Sequence, residues 1–500
     1  MPKTSSRSTV PAEWRAESLP VGTLRSFAEV VGAEHVLDGI ADRYAYSRDR
    51  LPRALFELRA GKLPATLPSA IVLPGSRDEL MRLVALANEQ QVALIPFGAG
   101  SGVLGGTLPL NCEVIVDLKR LNRIVAIDEI DGTVRVQAGM NGAQFEAALA
   151  ARGYSANHLP QSINMSTVGG WAACRGAGQS SSRYGKIEDI VLGLEAVLPN
   201  GRLLDVRAVA RRAVGPSIKD LLIGSEGVFG FITELTLRIT RLPEHEEGAV
   251  YAFPTLHNGL DALREICQRE GRPSVMRLYD SIESHQRTEG IEAFKERPIL
   301  VILKFSGPRV LARAEATLAR EVCLSHNGVQ ADDAPYRHWE ETRYQSYSIK
   351  WQTAGYYMDT CEIAGNWHAL PEMYAQMRKA VLELHPDMYF GAHWSHVYPE
   401  GACQYMTVRV PPMAHAKAMA LHLEAWERMQ RICLDLGGSI AHHHGVGLFR
   451  NPWLREELGA GLEMLQILKD GLDPHNLLNP GKVGLRPADG SHPSILGVAP

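Results

Sequence analysis

Three consecutive histidines, His442, His443 and His444, are the residues whose type and spacing most directly suggest chemistry. The ordinary pKa of an imidazole lies near neutral pH, so histidine can accept or donate a proton or contact an anion under physiological conditions. Histidines are also common metal ligands. The triplet therefore predicts a site for proton transfer, anion binding or metal coordination, with a buried, hydrogen-bonded structural cluster as the alternative.

The residues before the triplet indicate its backbone conformation. Gly437-Gly438-Ser439 precede it, which predicts a strand or a tight turn at the end of a domain. Successive side chains of a strand point to opposite faces. We therefore expect His442 and His444 to point together and His443 to point the other way.

A metal site would need further ligands beside the triplet. Zinc requires three or four ligands that converge from several elements. His393 and His396 could contribute, but no carboxylate motif completes the set. We predict that the protein binds no metal.

Three loops rich in glycine, serine and threonine predict a phosphate-binding surface. They cover residues 96–106, 160–184 and 224–232. Backbone N–H groups of such loops can approach a diphosphate closely and form anion-binding nests. Glu226 lies between two glycines and suits a ribose or ribityl hydroxyl. Each loop alone could be an ordinary turn, but three together favour a nucleotide cofactor.

The first loop contains a glycine pattern that must be tested by its context. Gly100, Gly102 and Gly105 satisfy G-x-G-x-x-G, which in a Rossmann fold opens directly into a helix. Here Pro109 and its neighbours cannot form that helix. Predicted strands follow instead, at residues 114–117, 124–127 and 133–138. The sequence thus excludes a Rossmann loop and favours a phosphate cradle inside a mostly β subdomain.

The elements that must position these loops follow from the apolar pattern. Ser76 and Glu79 form a capping-box signature, and Leu80, Leu83, Val84 and Ala87 then share one helical face. Another helix is predicted at residues 143–152, and further strands at 70–73, 92–95, 189–199, 229–239 and 299–305. After Pro243 longer amphipathic segments predominate. We predict a lead-in at 1–64, a first domain at 65–243, a second at 244–450, and a returning segment at 451–500.

Composition narrows the class of protein. The chain has 500 residues, a net charge of −4 and a pI near 6.5, so nothing indicates nucleic-acid binding. Its seven cysteines form no CxxC pair, which argues against a disulfide framework. Lys3 and Arg7 precede no apolar segment, residues 497–500 match no targeting signal, and no stretch is long enough to span a bilayer. We expect a cytoplasmic enzyme without an integral membrane segment.

Several longer motifs resemble the FAD-linked oxidases of the vanillyl-alcohol-oxidase superfamily, which have a PCMH-type FAD-binding domain. Within it they resemble the alkylglycerone-phosphate synthases. The resemblance covers about residues 65 to 483 and rests on Ser166-Thr167-Val168-Gly169-Gly170-Trp171, Tyr184-Gly185-Lys186-Ile187-Glu188-Asp189, Gly215-Pro216-Ser217, Gly224-Ser225-Glu226-Gly227, Pro273-Ser274-Val275-Met276-Arg277-Leu278 and His442-His443-His444-Gly445-Val446-Gly447. It implies an α+β fold: a PCMH-type FAD-binding domain at 65–243, and a cap with an antiparallel sheet at 244–450. It also implies a homodimer.

The resemblance implies which residues line FAD. Carried over by position, these are Pro96, Phe97, Gly98, Ala99, Gly100, Ser101, Gly102, Pro160, Ser162, Ser166, Thr167, Gly169, Gly170, Trp171, Cys174, Arg175, Gly176, Ala177, Tyr184, Glu226, Gly227, Gly230 and Ile232. Many relatives attach the flavin through a histidine in the first glycine loop or in the cap. No histidine lies between Val92 and Leu121. We therefore expect noncovalent FAD, although a link through a cap histidine stays open.

The same resemblance points to candidate catalytic residues and to departures from the synthases. Arg277 matches a synthase arginine near substrate and flavin, whereas by itself it could be a buried partner of Asp280 or Glu362. His393 stands about where the synthases have a substrate-contacting arginine. Residues 407–412 lack the tyrosine that serves the synthases as acid and base. The candidates are His442, His443, His444, Arg277, Tyr405 and His393.

These observations favour oxidation of a small alcohol-type or phenolic substrate by hydride transfer to flavin N5. A cap residue, with His444, His442 or Tyr405 as candidates, would remove the hydroxyl proton. The alternative is a synthase-type transferase, which exchanges a fatty acid for a fatty alcohol on dihydroxyacetone phosphate without net redox change. A D-2-hydroxyacid dehydrogenase is less favoured, because those enzymes carry a glutamate where His443 stands.

The flavin linkage can be tested directly. Acid precipitation of the purified yellow protein is expected to leave a colourless pellet and a yellow supernatant, because a noncovalent flavin is released when the fold is lost. Absorbance of the two fractions at the flavin maximum measures the outcome. A yellow pellet would contradict noncovalent binding.

Overall fold

The computed structural model describes residues 19–64, 66–345 and 348–487. The segments on which the expectations about targeting rest, around Lys3 and Arg7 and at residues 497–500, lie outside the described residues. Within the described part the protein is an α+β molecule built on two large antiparallel sheets and one smaller mixed sheet.

The amino-terminal half contains the small sheet, one of the large sheets and a ribbon. The small sheet has the order β1-β2-β4-β3, with β2, β4 and β3 parallel: β1 (Val36–Leu37), β2 (Ala70–Val72), β3 (Leu94–Phe97) and β4 (Val114–Asp117). The five-stranded sheet has the order β5-β6-β10-β8-β9: β5 (Ile124–Asp128), β6 (Thr133–Gln137), β8 (Val191–Val197), β9 (Leu203–Val206) and β10 (Phe231–Arg238). The strands β7 (Tyr154–Ser155) and β11 (Thr240–Arg241) form the ribbon.

The helices of this half are α1 (Val21–Val31), α2 (Ile40–Ala45), α3 (Pro52–Arg59), α4 (Arg77–Glu89), α5 (Gly142–Ala150), α6 (Val168–Ala173), α7 (Ser181–Tyr184), α8 (Ile187–Ile190) and α9 (Ile218–Leu222). The Ser76 cap of α4 is confirmed, but the reciprocal bond of a capping box goes to the residue before the cap. Ser76 accepts the N–H of Glu79, and the Glu79 carboxylate accepts the N–H of Gly75. The predicted apolar face of α4 is buried.

Most predicted strands form within two residues of the expected bounds, but residues 187–190 form the short helix α8, not the start of β8. The Asp189 carboxylate accepts the N–H of Lys186, which caps that helix, so the strand begins only at Val191. Residues before 65, predicted as a lead-in, contribute a strand to the small sheet, because β1 pairs with β2.

The carboxy-terminal half is built on a seven-stranded antiparallel sheet with the order β15-β12-β14-β13-β17-β18-β16. Its strands are β12 (His245–Phe253), β13 (Val275–Tyr279), β14 (Ile299–Gly307), β15 (Val329–Gln330), β16 (Tyr357–Asn366), β17 (Tyr389–Val397) and β18 (Gly401–Val410). Its helices are α10 (Leu256–Gln268), α11 (Ser281–His285), α12 (Arg309–Ser325), α13 (Ala334–Thr342), α14 (Ser348–Thr353), α15 (Leu370–Leu382) and α16 (His415–Asp435). The chain continues through α17 (Asn451–Leu458) and α18 (Ala460–Leu472).

After α18 the chain contacts the amino-terminal half. The N–H of Leu94 donates to the carbonyl of Leu477, and the N–H of Asn479 donates back to the carbonyl of Leu94. Lys482, in the Asn-Pro-Gly-Lys stretch, donates to the carbonyl of Leu108 beside the first glycine loop. Among the described helices, none combines the length and apolar character needed to cross a bilayer.

Strand alternation gives the seven-stranded sheet two different faces. Leu278, Trp394, Gln404 and Ile363 lie opposite one another on β13, β17, β18 and β16, and all four are fully buried. The residues that alternate with them belong to the other face. That second face carries the polar side chains of the candidate site.

Candidate active site

The three glycine-rich loops meet in space. Gly224 and Glu226 donate their N–H groups to the carbonyls of Ala172 and Ala173, which joins the second and third loops. A Cβ at Gly227 would lie 2.6 Å from the Pro96 side chain, so the third loop packs against the first as closely as glycine permits. The structure therefore brings together the segments that the sequence predicted as one phosphate-binding surface.

The first loop presents backbone donors without acceptors. From Gly98 to Gly102, no N–H group donates a hydrogen bond to any residue within 19–64, 66–345 or 348–487. These residues are partly buried, and unpaired N–H groups away from water cost free energy. An anionic ligand such as a diphosphate would satisfy them, so the loop fits the FAD that the sequence predicts.

A side chain that could also contact the cofactor lies just before the second loop. Both ring nitrogens of His158 are buried without a partner in the described chain, and the ring contacts Trp171 with centroids 4.7 Å apart. Burial lowers the pKa of His158 to about 3, so the imidazole is neutral. A neutral imidazole could exchange a hydrogen bond with a polar group of the cofactor.

Other predicted cofactor residues help to build the loops. The Ser166 hydroxyl accepts from the Trp171 indole N–H, and the Thr167 hydroxyl caps α6 by accepting the N–H of Gly170. Arg175 pairs with Glu188. The ring centroid of Tyr184 lies 5.9 Å from the Arg183 guanidinium carbon.

Glu226 joins the flavin-side loops to the segment that follows the histidine triplet. Its carboxylate accepts the N–H groups of Val446 at 2.6 Å and Gly447 at 3.0 Å. A Cβ at Gly445 would lie 2.6 Å from the same carboxylate. The side chain predicted to contact a ribose or ribityl hydroxyl is thus already engaged by the protein backbone.

On the polar face of the second sheet, four side chains form one row. Tyr279, His393, Tyr405 and Glu362 lie directly opposite one another on β13, β17, β18 and β16. The rings of His393 and Tyr405 stack with centroids 4.7 Å apart. Antiparallel pairing therefore brings two predicted catalytic residues into contact.

Glu362 anchors the histidine triplet. Its carboxylate accepts the backbone N–H groups of His442, His443 and His444, and it forms a buried ion pair with Arg450 at 2.8 Å. Both side chains of the pair are fully buried. The pKa of Glu362 is lowered because Arg450 and these donors outweigh the effect of burial.

The predicted alternation of the triplet is wrong. Ser439 still pairs with Ala364, but residues 442–444 are not a strand, because their N–H groups turn toward one carboxylate. As a result, the Nδ1 atoms of His442 and His443 lie 3.0 Å apart, and the rings of His443 and His444 are 4.5 Å apart. All three imidazoles belong to one cluster.

His396 joins this cluster through a β-bulge. The register of β17 shifts between Ser395 and Val397, and His396 has a φ of 55°, which is unusual for a non-glycine residue. This conformation places His396 Nδ1 2.7 Å from the Ser181 hydroxyl and its ring 5.1 Å from His442. Strained backbone of this kind is frequent at functional sites.

The cluster is held by hydrogen bonds from both halves of the molecule. Tyr398 lies 3.1 Å from His442 Nε2 and 3.3 Å from the Ser181 hydroxyl. Lys186 donates to the carbonyl of His442. Burial lowers the pKa of His396, His442 and His443 well below the ordinary value, so these imidazoles are neutral and can exchange protons only along such contacts.

The ligand-type groups near the triplet include a carboxylate, contrary to the sequence expectation. Glu362, Cys403, His442 and His443 place one donor atom each within 4.8 Å of one another. However, both oxygens of Glu362 already accept hydrogen bonds, and Arg450 adds a positive charge beside them. The set is therefore poorly suited to a divalent cation, and the absence of a metal stays a prediction.

Arg277 has neither of the ion-pair partners that the sequence suggested. Asp280 instead accepts from Tyr374 and from the N–H of Ala392, and Glu362 belongs to Arg450. Arg277 Nε donates to the Tyr279 hydroxyl at 2.7 Å, and no carboxylate within the described residues pairs with the guanidinium. Arg277 is thus available to an anionic group of a ligand.

Tyr405 is a weak candidate for a base. Its hydroxyl donates to Thr360 at 3.0 Å, and burial raises its pKa. The segment 407–412, where the synthases have a tyrosine, continues β18 and then leads through Pro411 and Pro412 towards α16. Since residues 407–412 contain no tyrosine, this segment offers no phenolic acid or base to the site.

Several site residues were not predicted, namely Glu362 as an anchor, Glu283, Arg450, Tyr398, Ser181 and Lys186. Glu362 had a detectable signal, because it is a carboxylate inside the apolar stretch Cys361 to Ala364. Glu283 gave none. It is one acidic residue in a short polar segment, and its partner His393 is 110 positions away.

The fold and the site together define a two-domain flavoprotein with a histidine-rich cap. Comparison with known proteins gives the same class. The FAD binding domain family matches residues 68–207, and the C-terminal domain of FAD linked oxidases matches residues 242–483. The chain belongs to the FAD-linked oxidase family, and FAD is its cofactor.

Individual relatives agree with this assignment. The alkyldihydroxyacetonephosphate synthase of Dictyostelium discoideum is 30% identical over 463 residues, which cover 86% of this chain and 75% of the relative. An uncharacterized FAD-linked oxidoreductase of Escherichia coli (strain K12) is 29% identical over 91% of this chain and 96% of its own. A solved alkyldihydroxyacetonephosphate synthase structure superposes with a TM-score of 0.80 at 26% identity, covering 93% of this chain and 86% of that one.

Removal of the anchoring carboxylate should destabilise the fold. Glu362→Gln leaves Arg450 buried without its counter-charge, and we expect a loss of about 3–5 kcal/mol in the free energy of unfolding. Urea titration followed by tryptophan fluorescence measures it. The matched control is Glu424→Gln, which breaks an exposed ion pair with Arg428 and should cost less than about 0.5 kcal/mol. Equal losses in the two variants would contradict an anchoring role.

The metal prediction is tested by elemental analysis. Purified protein should contain less than one zinc, copper, nickel or iron ion per chain, because Glu362 offers no free oxygen for a metal. Prolonged dialysis against a chelator should leave the flavin absorbance and the melting temperature unchanged. Stoichiometric metal that Cys403→Ser or His443→Gln removes would refute the prediction.

Proposed function

We propose that the protein is an FAD-dependent oxidoreductase that oxidises a small alcohol-type or phenolic substrate. The observation that supports this most strongly is the cluster of neutral histidines, which includes His393, on the polar face of the cap sheet. A neutral imidazole can accept the hydroxyl proton whose loss must accompany oxidation. When bound, FAD supplies the acceptor for the hydride at N5.

The residues of the chain have separate tasks in this proposal. The loops around Gly98–Gly102 would bind the diphosphate of FAD through backbone N–H groups. Arg277 would hold an anionic or hydroxyl group of the substrate, since no carboxylate occupies it. The buried histidines would receive the proton, and the dry environment favours transfer along defined contacts.

A synthase-type transferase is the second candidate, and specific observations favour it. The relative from Dictyostelium discoideum carries that name at 30% identity. The unpaired guanidinium of Arg277 would also suit a phosphate. Against it, residues 407–412 contain no tyrosine, and His393 replaces the arginine that the resemblance leads one to expect.

A D-2-hydroxyacid dehydrogenase is a weaker candidate. The residue before His444 is a histidine where those enzymes carry a glutamate. Glu362 does place a carboxylate near the triplet, but it comes from another strand and is paired with Arg450. We further infer that the protein is a homodimer, which the family resemblance supports. We also infer that it is cytoplasmic, because its seven cysteines form no disulfide bonds.

One experiment separates these candidates. The purified holoenzyme would be mixed anaerobically with panels of phenols, primary and secondary alcohols, and 2-hydroxyacids, while the oxidised flavin absorbance is followed. We expect two-electron bleaching by alcohols or phenols, because their hydroxyl proton can pass to a neutral imidazole. In parallel, acyl-dihydroxyacetone phosphate and hexadecanol would be assayed for release of fatty acid.

The outcomes are distinct. Bleaching by an alcohol or phenol, without fatty-acid release, supports the oxidoreductase. Fatty-acid release that depends on added alcohol, with the flavin unbleached by every panel, would establish the transferase instead. Bleaching confined to 2-hydroxyacids would favour the dehydrogenase. His443→Gln is a useful companion, since it should slow any of the three reactions without releasing FAD.

A further inference from the structure

We propose that Glu283 is a positioning residue that holds His393 as the base for the substrate hydroxyl proton. The inference rests on the proposed oxidoreductase function and makes it more specific. The inference selects His393 from the five histidines of the cluster. It also assigns a role to Glu283, which was not among the predicted catalytic residues.

The contact between the two residues has the geometry of a carboxylate–imidazole dyad. Glu283 Oε2 lies 3.0 Å from His393 Nδ1, and Thr407 donates to Glu283 Oε1 at 2.9 Å. Glu283 is 7% exposed and His393 is 12% exposed. A carboxylate held at Nδ1 fixes the neutral tautomer that carries the proton there, which leaves Nε2 as the basic nitrogen.

The position of Glu283 is itself determined by its surroundings. It lies in α11, whose amino end Asp280 caps by accepting the N–H groups of Ile282 and Glu283. The other oxygen of Asp280 accepts from the N–H of Ala392, which ties α11 to β17. A Cβ at residue 391 would lie 2.8 Å from Glu283 Cγ. The glycine at this position therefore leaves the room that the Glu283 side chain occupies.

The remaining four histidines of the cluster have different partners. His396 Nδ1 contacts Ser181, and His442 is held between Tyr398 and His443. His444 Nδ1 is buried without a partner, although Glu362 lies 3.7 Å away. Only His393 among these five has a ring nitrogen hydrogen-bonded to a carboxylate. Its Nε2 has no hydrogen-bond partner in the described chain.

Every element that packs against Glu283 and His393 contributes titratable or charged side chains. These are Arg277 and Tyr279 of β13, Asp280 and Arg287 on either side of α11, His396 and Tyr389 of β17, and Tyr405 and Arg409 of β18. Burial raises the pKa of Glu283, but His393, Arg287 and Thr407 outweigh it and bring the value to about 2. Glu283 is therefore ionised throughout the physiological range.

The same surroundings keep His393 ready to accept a proton. Burial lowers its pKa, and Arg277 and Arg287 lower it further, while Glu283 is the group that raises it. The imidazole is thus neutral near pH 7. If Glu283 lost its charge, the pKa of His393 would fall again, and the tautomer would no longer be fixed.

The reaction step that follows is balanced. The substrate O–H proton would pass to His393 Nε2, and the electron pair of the O–H bond would form the second bond of the product C=O group. The carbinol C–H bond would break with its electron pair leaving as hydride, for which FAD, held by the glycine-rich loops, would supply the two-electron acceptor. The proton on His393 then passes to solvent.

The test compares Glu283→Gln with His393→Gln, Glu283→Asp and Thr407→Val. The matched control is Glu146→Gln, because Glu146 is a half-buried carboxylate in α5 whose oxygens accept from the Ser155 hydroxyl and the N–H of Ala156, not from a group of the dyad. The rate of anaerobic flavin reduction would be measured from pH 5 to 9 with the best substrate of the panel. The imidazole hydrogen on the carbon between the two ring nitrogens of His393 exchanges with deuterium at a rate that depends on the protonation of the ring. Mass spectrometry of this exchange against pH would give the pKa of His393 independently of activity.

We expect His393→Gln to lose about 10²- to 10⁴-fold in the reduction rate, as for removal of a general base. Glu283→Gln should lose between about 10-fold and 10⁴-fold, the range found when a histidine loses the carboxylate that orients it. Because Glu283 raises the pKa of His393, the acidic limb of the rate profile should move to lower pH, as should the exchange midpoint. Glu283→Asp should recover part of the rate, Thr407→Val should lose less than Glu283→Gln, and Glu146→Gln should resemble wild type.

Failure of the inference is distinguishable from failure of the proposed function. If wild-type flavin bleaches but Glu283→Gln keeps the wild-type rate and acidic limb, Glu283 has no positioning role. An unchanged exchange midpoint for His393 in Glu283→Gln overturns the inference even when no substrate bleaches the flavin. A lower melting temperature with an unaltered pH profile would show that Glu283 is structural only.

Discussion

The arrangement of the site depends on one buried carboxylate. Glu362 receives three consecutive backbone N–H groups and the guanidinium of Arg450, all inside the protein. Such a carboxylate is stable only when every lone pair is used, because an unpaired buried charge costs several kcal/mol. The chain from His442 to His444 must therefore curve around it, and the three imidazoles have no freedom to alternate. The position of the histidines thus follows from the hydrogen bonds that the buried Glu362 carboxylate requires.

Strand periodicity supplies the second constraint. Trp394 and its neighbours fill the core, so the alternate residues His393 and Tyr405 must project from the opposite face. His396 departs from this rule, since the β-bulge at this residue brings its ring to the histidine cluster. The seven-stranded sheet therefore combines a mostly apolar layer with a polar layer to which four different strands contribute. Burial then keeps its imidazoles neutral, which suits proton transfer better than charge neutralisation.

Local features of the fold were predictable from the sequence, whereas contacts between distant segments were not. The Ser76 cap, the strand bounds and the failure of the Rossmann pattern at Pro109 depend on a few neighbouring residues. The convergence of the glycine loops followed from their composition and from family resemblance. The triplet, by contrast, was assigned the wrong direction because its determinant lies 80 residues away. For the same reason Arg277 was paired with acidic residues that belong to other partners. Glu283 could not be found, since neither its helix nor its spacing marks it as special.

The hydrogen bonds between Glu226 and the backbone after the triplet have a mechanical consequence. Glu226 belongs to the third glycine-rich loop, and its carboxylate holds Val446 and Gly447. A displacement of the segment that carries the histidines would therefore pull on the glycine-rich loops, and a displacement of those loops would move the histidines. The two parts of the site are thus mechanically coupled through one side chain, and neither can be repositioned independently of the other.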